Sequence, residues 1–364
     1  MLKKTLTVGL AAATAAAIAI NMHPGFGQAP GKAHRESLKG APNLHNGRFH
    51  NRQTAPMSVN PCDLYTMTRD LFRDRDTRSP FAPLAVQTPE WDKEESVTWF
   101  GHSSYYIHID DIRLLIDPMF GPAAAPLPGT GSRRFTGDLL SMIPSMPDID
   151  AVLITHDHYD HLDYPTIQAL LPRVKRFIVP LGVASHLVRW GMSQERIQEL
   201  NWWEETYVKD VQVALTPSHH FSGRTMAARD RTLWGGWVIA GNESRIYVSG
   251  DGGYGSHFKE IGDVYGPFDL AIIEGGQYDS RWEGVHMTPE EAVQAFEDVR
   301  GRSMMLSHWA GFTLSFHSWE EPAERALAEA ERKGVNLLTP HIGETTAWLA
   351  PAPQTNWWRR PAYQ

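Results

Sequence analysis

The chain has 364 residues, 42% of them apolar, enough for a sizeable core in one or two domains. Its formal charge of −8 and the lack of a long Lys/Arg run exclude a protein that tracks a phosphate backbone by charge, so nucleic acid is not an expected partner. A single cysteine, Cys62, excludes an internal disulfide in any compartment.

Met1-Leu2-Lys3-Lys4 is a short positive region, followed by apolar and small residues from Thr5 to Ile20. That run is shorter than the roughly 20 residues that span a bilayer comfortably. Residues 1–29 therefore read as a secretory signal, with a cut after Gly27-Gln28-Ala29, or as an uncleaved anchor. Either predicts an exported protein, periplasmic or held on the inner membrane. Residues 30–95 are rich in Pro, Asn, Arg and His and read as an extended arm. Leu64, Met67, Thr68 and Leu71 recur at helical spacing and predict one helix within it. His23, His34, His45 and His50 lie in polar or Pro/Gly surroundings and read as solvated.

Regular structure is expected from Ser96 to about residue 350, with 351–364 as a C-terminal tail. Val97–Phe100, Tyr105–Ile109 and Arg113–Ile116 are β-like runs, the last two joined at Asp110-Asp111, a hairpin cue. Residues 121–146 form a Pro/Gly/Ala-rich insertion expected to lie over an active site. Its Arg133 and Arg134 are candidate donors to a substrate phosphate. Thr288-Pro289-Glu290-Glu291 is a capping box with proline at the first helical position, and Gly301 is the expected stop. Glu320 to Lys333 before Gly334 predicts another helix.

The chemistry is concentrated in Thr155-His156-Asp157-His158-Tyr159-Asp160-His161, directly after the apolar run Ala151–Ile154. Imidazole nitrogen and carboxylate oxygen suit zinc and similar divalent ions. An extended segment places His156 and His158 on one side, free to grip one ion, while Asp160 and His161 are left for a second. The arrangement of an apolar run ending in a potential ligand recurs three times: Val211–Thr216 before His219 and His220, Arg245–Gly250 before Asp251, and Ser303–Ser307 before His308. If those strand ends meet at one edge, five histidines and two aspartates serve two ions with one carboxylate shared.

At these residues the chain resembles the metallo-β-lactamase-fold hydrolases, whose His-Xaa-His-Xaa-Asp-His signature is met by His156 to His161. Further blocks resemble the branch containing N-acylphosphatidylethanolamine-hydrolysing phospholipase D. They include Trp99–Ser104, Leu115–Phe120, Thr232–Trp237, Gly250–Tyr254, Gly266–Leu270 and His308-Trp309, and the likeness runs from about Val97 to Leu349. The resemblance implies a four-layered αβ/βα sandwich (α/β, α+β in its segregation) with two Zn2+ ions. It implies His156, His158 and His220 on one ion, Asp160, His161 and His308 on the other, and Asp251 between them. His220 is preferred to His219 because the family's ligand directly precedes an aromatic residue, here Phe221. His102 is implied as a partner just outside the ligands. Where the lipid-hydrolysing branch reads Ile-Pro-Ile-Gly-Ala-Tyr, this chain reads Ile273-Glu274-Gly275-Gly276-Gln277-Tyr278, so the substrate lining is expected to differ.

The expected mechanism is attack by a zinc-activated hydroxide shared between the ions on a phosphodiester in a phospholipid-like substrate. Asp160 and Asp251 hold or accept the proton and His286 protonates the leaving oxygen. Trp309 is a candidate substrate contact, and the tryptophans beside the motifs suit both a core and a membrane surface. A lactone, thioester or cyclic phosphate on the same scaffold, or metal binding without turnover, are the alternatives. Nothing in the sequence fixes the oligomeric state.

Overall fold

The computed structural model describes residues 22–53, 61–351 and 353–359. The positive and apolar segment from Met1 to Ile20 lies outside the described residues. Among those described, no helix is long and apolar enough to cross a membrane.

Fourteen strands make two seven-stranded sheets. The first contains β1 (Ser96–Trp99), β2 (Tyr105–Ile109), β3 (Ile112–Ile116), β4 (Ile149–Leu153), β5 (Val174–Pro180), β6 (Ile197–Leu200) and the late β14 (Thr345–Ala347), in the order β6-β5-β4-β3-β2-β1-β14. The second contains β7 (Glu205–Val208), β8 (Val211–Thr216), β9 (Gly236–Ala240), β10 (Arg245–Val248), β11 (Phe268–Glu274), β12 (Gly301–Ser307) and β13 (Leu337-Leu338), ordered as numbered. Helices α1 (Tyr164–Leu170) and α2 (Ala184–Arg189) cover the first sheet. Helices α3 (His257–Tyr265), α4 (Pro289–Asp298) and α5 (Glu321–Lys333) cover the second. The result is a mixed α/β sandwich of four layers.

The side-chain period of two sorts the strands of the first sheet between two cores. Tyr105, Ile107, Ile109, Leu114, Ala151 and Leu153 face the second sheet. Tyr106, Leu115, Val152, Phe177 and Val179 face α1 and α2. With both faces covered, β4 is buried at every position, which is why its sequence from Ala151 onward is a short continuous apolar run. The turn between β2 and β3 uses left-handed Asp110 (φ 48°) and Asp111 (φ 56°), the backbone of a hairpin that matches strand twist.

Several expectations need correction. Helix α4 carries the full Thr288/Glu291 capping box but ends at Asp298, and Gly301 opens β12 instead. The left-handed residue after that helix is Arg300 (φ 61°), whose N–H closes on Glu297 O, so no glycine is needed. Among its described residues the arm contains two α-helices, Lys32–Ser37 and Pro61–Asp70, plus a pair of two-residue strands, and Leu38 and Phe49 pack it back on the domain. His34 is only half-solvated, bonded to Glu199 (2.6 Å) and Ser185 (2.8 Å). Within the expected tail, Trp358 is buried and Trp357 stacks on Trp309 at 5.6 Å.

Candidate metal centre

Strands β3, β4 and β5 run parallel in one sheet. In the other, β10, β11 and β12 run parallel, and β8 shares their direction because it is antiparallel to β9, as is β10. Their carboxyl ends deliver Asp117, the 156–161 loop, His219-His220, Asp251, Glu274 and His308 to one edge of the sandwich. An antiparallel bridge between His102 and Trp309 stitches the two sheets there, with His102 N–H on Trp309 O at 2.8 Å. His102 (φ 57°), Asp117 (φ 41°) and His308 (φ 67°) all sit in left-handed backbone, a clustering of costly conformations at one place.

Two donor groups form. His156 Nε2 lies 2.9 Å and His220 Nε2 3.3 Å from His158 Nδ1. Three nitrogens on a tetrahedral ion stand about 3.3 Å apart when each bond is about 2.0–2.1 Å. The second group gathers His161, Asp160, His308 and His102. His161 Nε2 lies 3.4 Å from Asp160 Oδ2, and His308 Nε2 lies 4.0 Å from the same oxygen. Asp251 Oδ2 stands between the groups, 3.1 Å from His161 Nε2, 3.8 Å from His156 Nε2 and 3.9 Å from His220 Nε2.

Buried polar atoms are normally hydrogen-bonded. Here His161 Nε2 and Asp251 Oδ1 make no hydrogen bond of good geometry, although each has a neighbour in these clusters at 3.1 Å, Asp251 Oδ2 and His308 Nδ1 respectively. Burial, reinforced by neighbouring imidazoles, holds His156 well below its ordinary pKa. Burial does the same to His220 and His308 despite the Asp251 carboxylate, leaving all three in the neutral form that binds metal. Burial opposes ionisation of Asp160 and Asp251, but His161 and its neighbours outweigh it and hold both well below the carboxylate range. His161, against its own burial, is raised well above the imidazole range by Asp251, Asp160 and Asp117. Three carboxylates around one imidazole demand positive charge at that point. The donor set, the spacing and the orphaned atoms fit divalent cations.

The surrounding residues fix the rings. Asp117, unassigned by sequence, accepts from His161 Nδ1 (2.7 Å), Thr155 N (2.7 Å) and Thr155 Oγ1 (2.5 Å). His102 Nε2 lies 2.8 Å from Asp160 Oδ2, and Ser103 Oγ lies 3.1 Å from His308 Nδ1. Asp157 points away from the donors, pairing with His186 Nε2 (3.1 Å) and accepting from Gly223 N (2.7 Å) and Thr232 Oγ1 (2.9 Å). His219 turns from the cluster and packs its ring on His257 at 4.4 Å.

A cleft of about 230 Å³ opens over the donors, walled by Phe221, Trp282, Val285 and Leu314. His286 lines it, with Nδ1 3.1 Å from Glu274 Oε1. Burial disfavours the charged ring, yet the Glu274 carboxylate, helped by Asp251 and Asp160, outweighs it and raises the His286 pKa from its ordinary value. Glu274 is fully buried and was not foreseen as a site residue. In the same divergent segment, a Cβ at Gly276 would fall 2.0 Å from His308 O, so only glycine passes. Gln277 Nε2 donates to the carbonyls of His308 (3.2 Å) and Phe312 (3.3 Å).

Three expected substrate contacts are absent from this cleft. Arg134 is buried and spends its guanidinium on the carbonyls of Phe100 and Met119, with the Phe312 ring beneath it. Arg133 is exposed on a two-residue strand, Ser132-Arg133, and nothing from residues 121–146 lines the cleft. Trp309 is buried among Trp99, Trp357 and Trp358, with its indole N–H on Leu306 O. Its aromatic bulk serves the core.

Comparison with known proteins is consistent with this geometry. A family model described as Beta-lactamase superfamily domain matches residues 112–309. Over 362 residues the chain is 37% identical to an uncharacterized protein of Mycobacterium tuberculosis, covering 97% of each. It is 30% identical over 265 residues to N-acyl-phosphatidylethanolamine-hydrolyzing phospholipase D 1 of Caenorhabditis elegans, covering 68% of this chain and 74% of that one. Among solved structures, an isothiocyanate hydrolase from Delia radicum gut bacteria shares the fold with a TM-score of 0.54 at 19% identity, over 69% of this chain and 98% of that one.

Proposed function

Because the chain belongs to the metallo-β-lactamase superfamily of metal-dependent hydrolases, we propose that it is a dinuclear zinc phosphodiesterase acting on a phospholipid-like substrate, exported or held on the inner membrane. The observation that carries the two-ion reading is Asp251 Oδ2, placed within 3.1–3.9 Å of nitrogens from both donor groups. His156, His158 and His220 would hold one ion, Asp160, His161 and His308 the other, and Asp251 both. When bound, such a pair supplies Lewis acidity at the phosphoryl oxygen and water acidified toward neutrality.

The chain's own residues do the rest. His102 and Asp117 keep Asp160 and His161 oriented. Glu274 holds His286 by Nδ1, so the other ring nitrogen is free to give a proton to the leaving oxygen in the cleft. Phe221, Trp282, Val285 and Leu314 present an apolar wall suited to acyl chains. Support for the lipid class comes from relatives: the Caenorhabditis elegans protein above carries the name of a lipid-hydrolysing phospholipase D. Export rests on Lys3-Lys4 and the run from Thr5 to Ile20.

The decisive experiment profiles zinc-loaded full-length protein against N-acylated and plain glycerophospholipids, soluble phosphodiesters, β-lactams and acyl-homoserine lactones. Release of phosphatidic acid from the lipids, abolished by chelation and restored by zinc, is expected. Turnover of lactones or lactams with every phosphodiester left intact would overturn the substrate class. Elemental analysis showing no more than trace metal in active, zinc-replete protein would overturn the metal centre.

A further inference from the structure

The N-terminal arm reaches the centre at Asn51. Its Nδ2 donates to the carbonyl of His220 (2.8 Å) and its Oδ1 accepts the N–H of the same residue (3.2 Å). The same Oδ1 accepts the indole N–H of buried Trp234 at 3.0 Å. Both groups facing Oδ1 can only donate and the carbonyl facing Nδ2 can only accept, so chemistry fixes which way the carboxamide points. The segment around Asn51 is itself tied down. Phe49 is buried, with its N–H on Asp230 O at 2.7 Å, and farther along Asn43 Nδ2 donates to Asn201 Oδ1 at 3.0 Å.

The His220 ring is held at its far end by Nδ1 on Val285 O (3.0 Å), which turns Nε2 toward His158. A ring pinned there still moves if its own backbone shifts. Asn51 supplies the other fixed point by occupying both polar groups of that backbone. We propose that Asn51 is a positioning residue for the first ion, and that the arm is thereby part of the metal centre. This rests on the reading of His220 as a ligand.

The test uses full-length protein and measures zinc affinity by chelator competition, together with the visible spectrum of the cobalt-substituted form. Asn51→Ala is expected to weaken zinc at one site about 10–100-fold, as loss of groups that orient ligands does, and to alter the cobalt bands. Asn51→Asp keeps both accepted N–H groups but sets a carboxylate oxygen against the His220 carbonyl, so it too should weaken zinc at that site; it decides the matter if the alanine variant does not fold. Asn43→Ala, which loosens the arm away from His220, should bind zinc as the wild type does. The proposal is overturned if both Asn51 variants match wild type in affinity and spectrum, or if Asn43→Ala is equally impaired. Wild-type protein that binds no zinc would instead overturn the metal centre itself.

Discussion

Replacing Asp117 by Asn exchanges one oxygen for an NH2 group and tests how His161 is held. In the native site the carboxylate accepts three hydrogens, from Thr155 N (2.7 Å), Thr155 Oγ1 (2.5 Å) and His161 Nδ1 (2.7 Å), which leaves His161 Nε2 bare. An amide has one oxygen to offer. If that oxygen stays on Thr155 N–H, the NH2 faces His161 Nδ1, the ring must accept there, and its proton moves to Nε2, where it blocks the lone pair. Disturbing such an orienting group costs about 10–100-fold in metal affinity, or roughly 1.4–2.8 kcal/mol at 1.4 kcal/mol per tenfold. If the amide flips, Thr155 N–H is left buried without an acceptor, at about 1–3 kcal/mol of stability. Chelator competition and thermal melting of the same variant read the two branches. The site of His156, His158 and His220 should lose less, since it is linked to Asp117 only through Thr155 Oγ1, 3.0 Å from His156 Nδ1. Unchanged zinc affinity at both sites together with an unchanged melting temperature would refute the reasoning.

Three more outcomes follow from particular contacts. Glu199, by its hydrogen bond and then its charge, raises the pKa of His34 despite partial burial, so this contact stabilises the docked arm below the unfolded histidine pKa near ~6.5 and loses that contribution as pH rises through the folded value. Proteolysis of the arm should therefore be faster at alkaline than at mildly acidic pH, with the difference flattened in His34→Gln; an equal pH effect in that variant would assign it to other groups. A chain beginning after Ala29 loses Gly25 O, which accepts from the buried Arg224 guanidinium at 2.6 Å, and Gln28 N–H, which lies on His186 Nδ1 at 2.9 Å. At about 1–3 kcal/mol for an unmet buried partner and roughly 2–4 °C per kcal/mol, it should melt at least a few degrees below a chain beginning at Met22, and equal melting would show these contacts to be idle. Arg134→Ala should lower stability with KM unchanged, since its donors lie on Phe100 and Met119 carbonyls, whereas a raised KM with unchanged melting would restore the arginine to the substrate.

What the sequence revealed and what it hid divide along one line, the distance in the chain between a residue and the group it serves. The donor cluster was legible because His156 to His161 are local and because each further candidate donor follows an apolar run that forms a strand. Asp117 obeys that same rule, standing directly after Leu114–Ile116, and the rule could have found it. Glu274 obeys it too, directly after Leu270–Ile273, but nothing in the sequence names the partner of Glu274, Asp157 or Asn51. Their partners lie 12, 29 and 169 residues away, and only the closed sandwich brings them together. The misassigned residues fail for the complementary reason. Arginine and tryptophan serve equally well at a surface and in a core, so type alone could not tell that Arg134 is used up on two carbonyls or that Trp309 fills the space between Trp99 and the chain's last described turn. The divergent segment shows both effects at once. Gly276 is forced by the nearness of the His308 carbonyl, and Gln277 braces the turn from His308 to Leu314 while also lining the cleft beside Trp282, Val285 and His286. A difference in substrate from the lipid-hydrolysing branch should accordingly map to Gln277, Trp282, Val285 and His286 before it maps to Gly276.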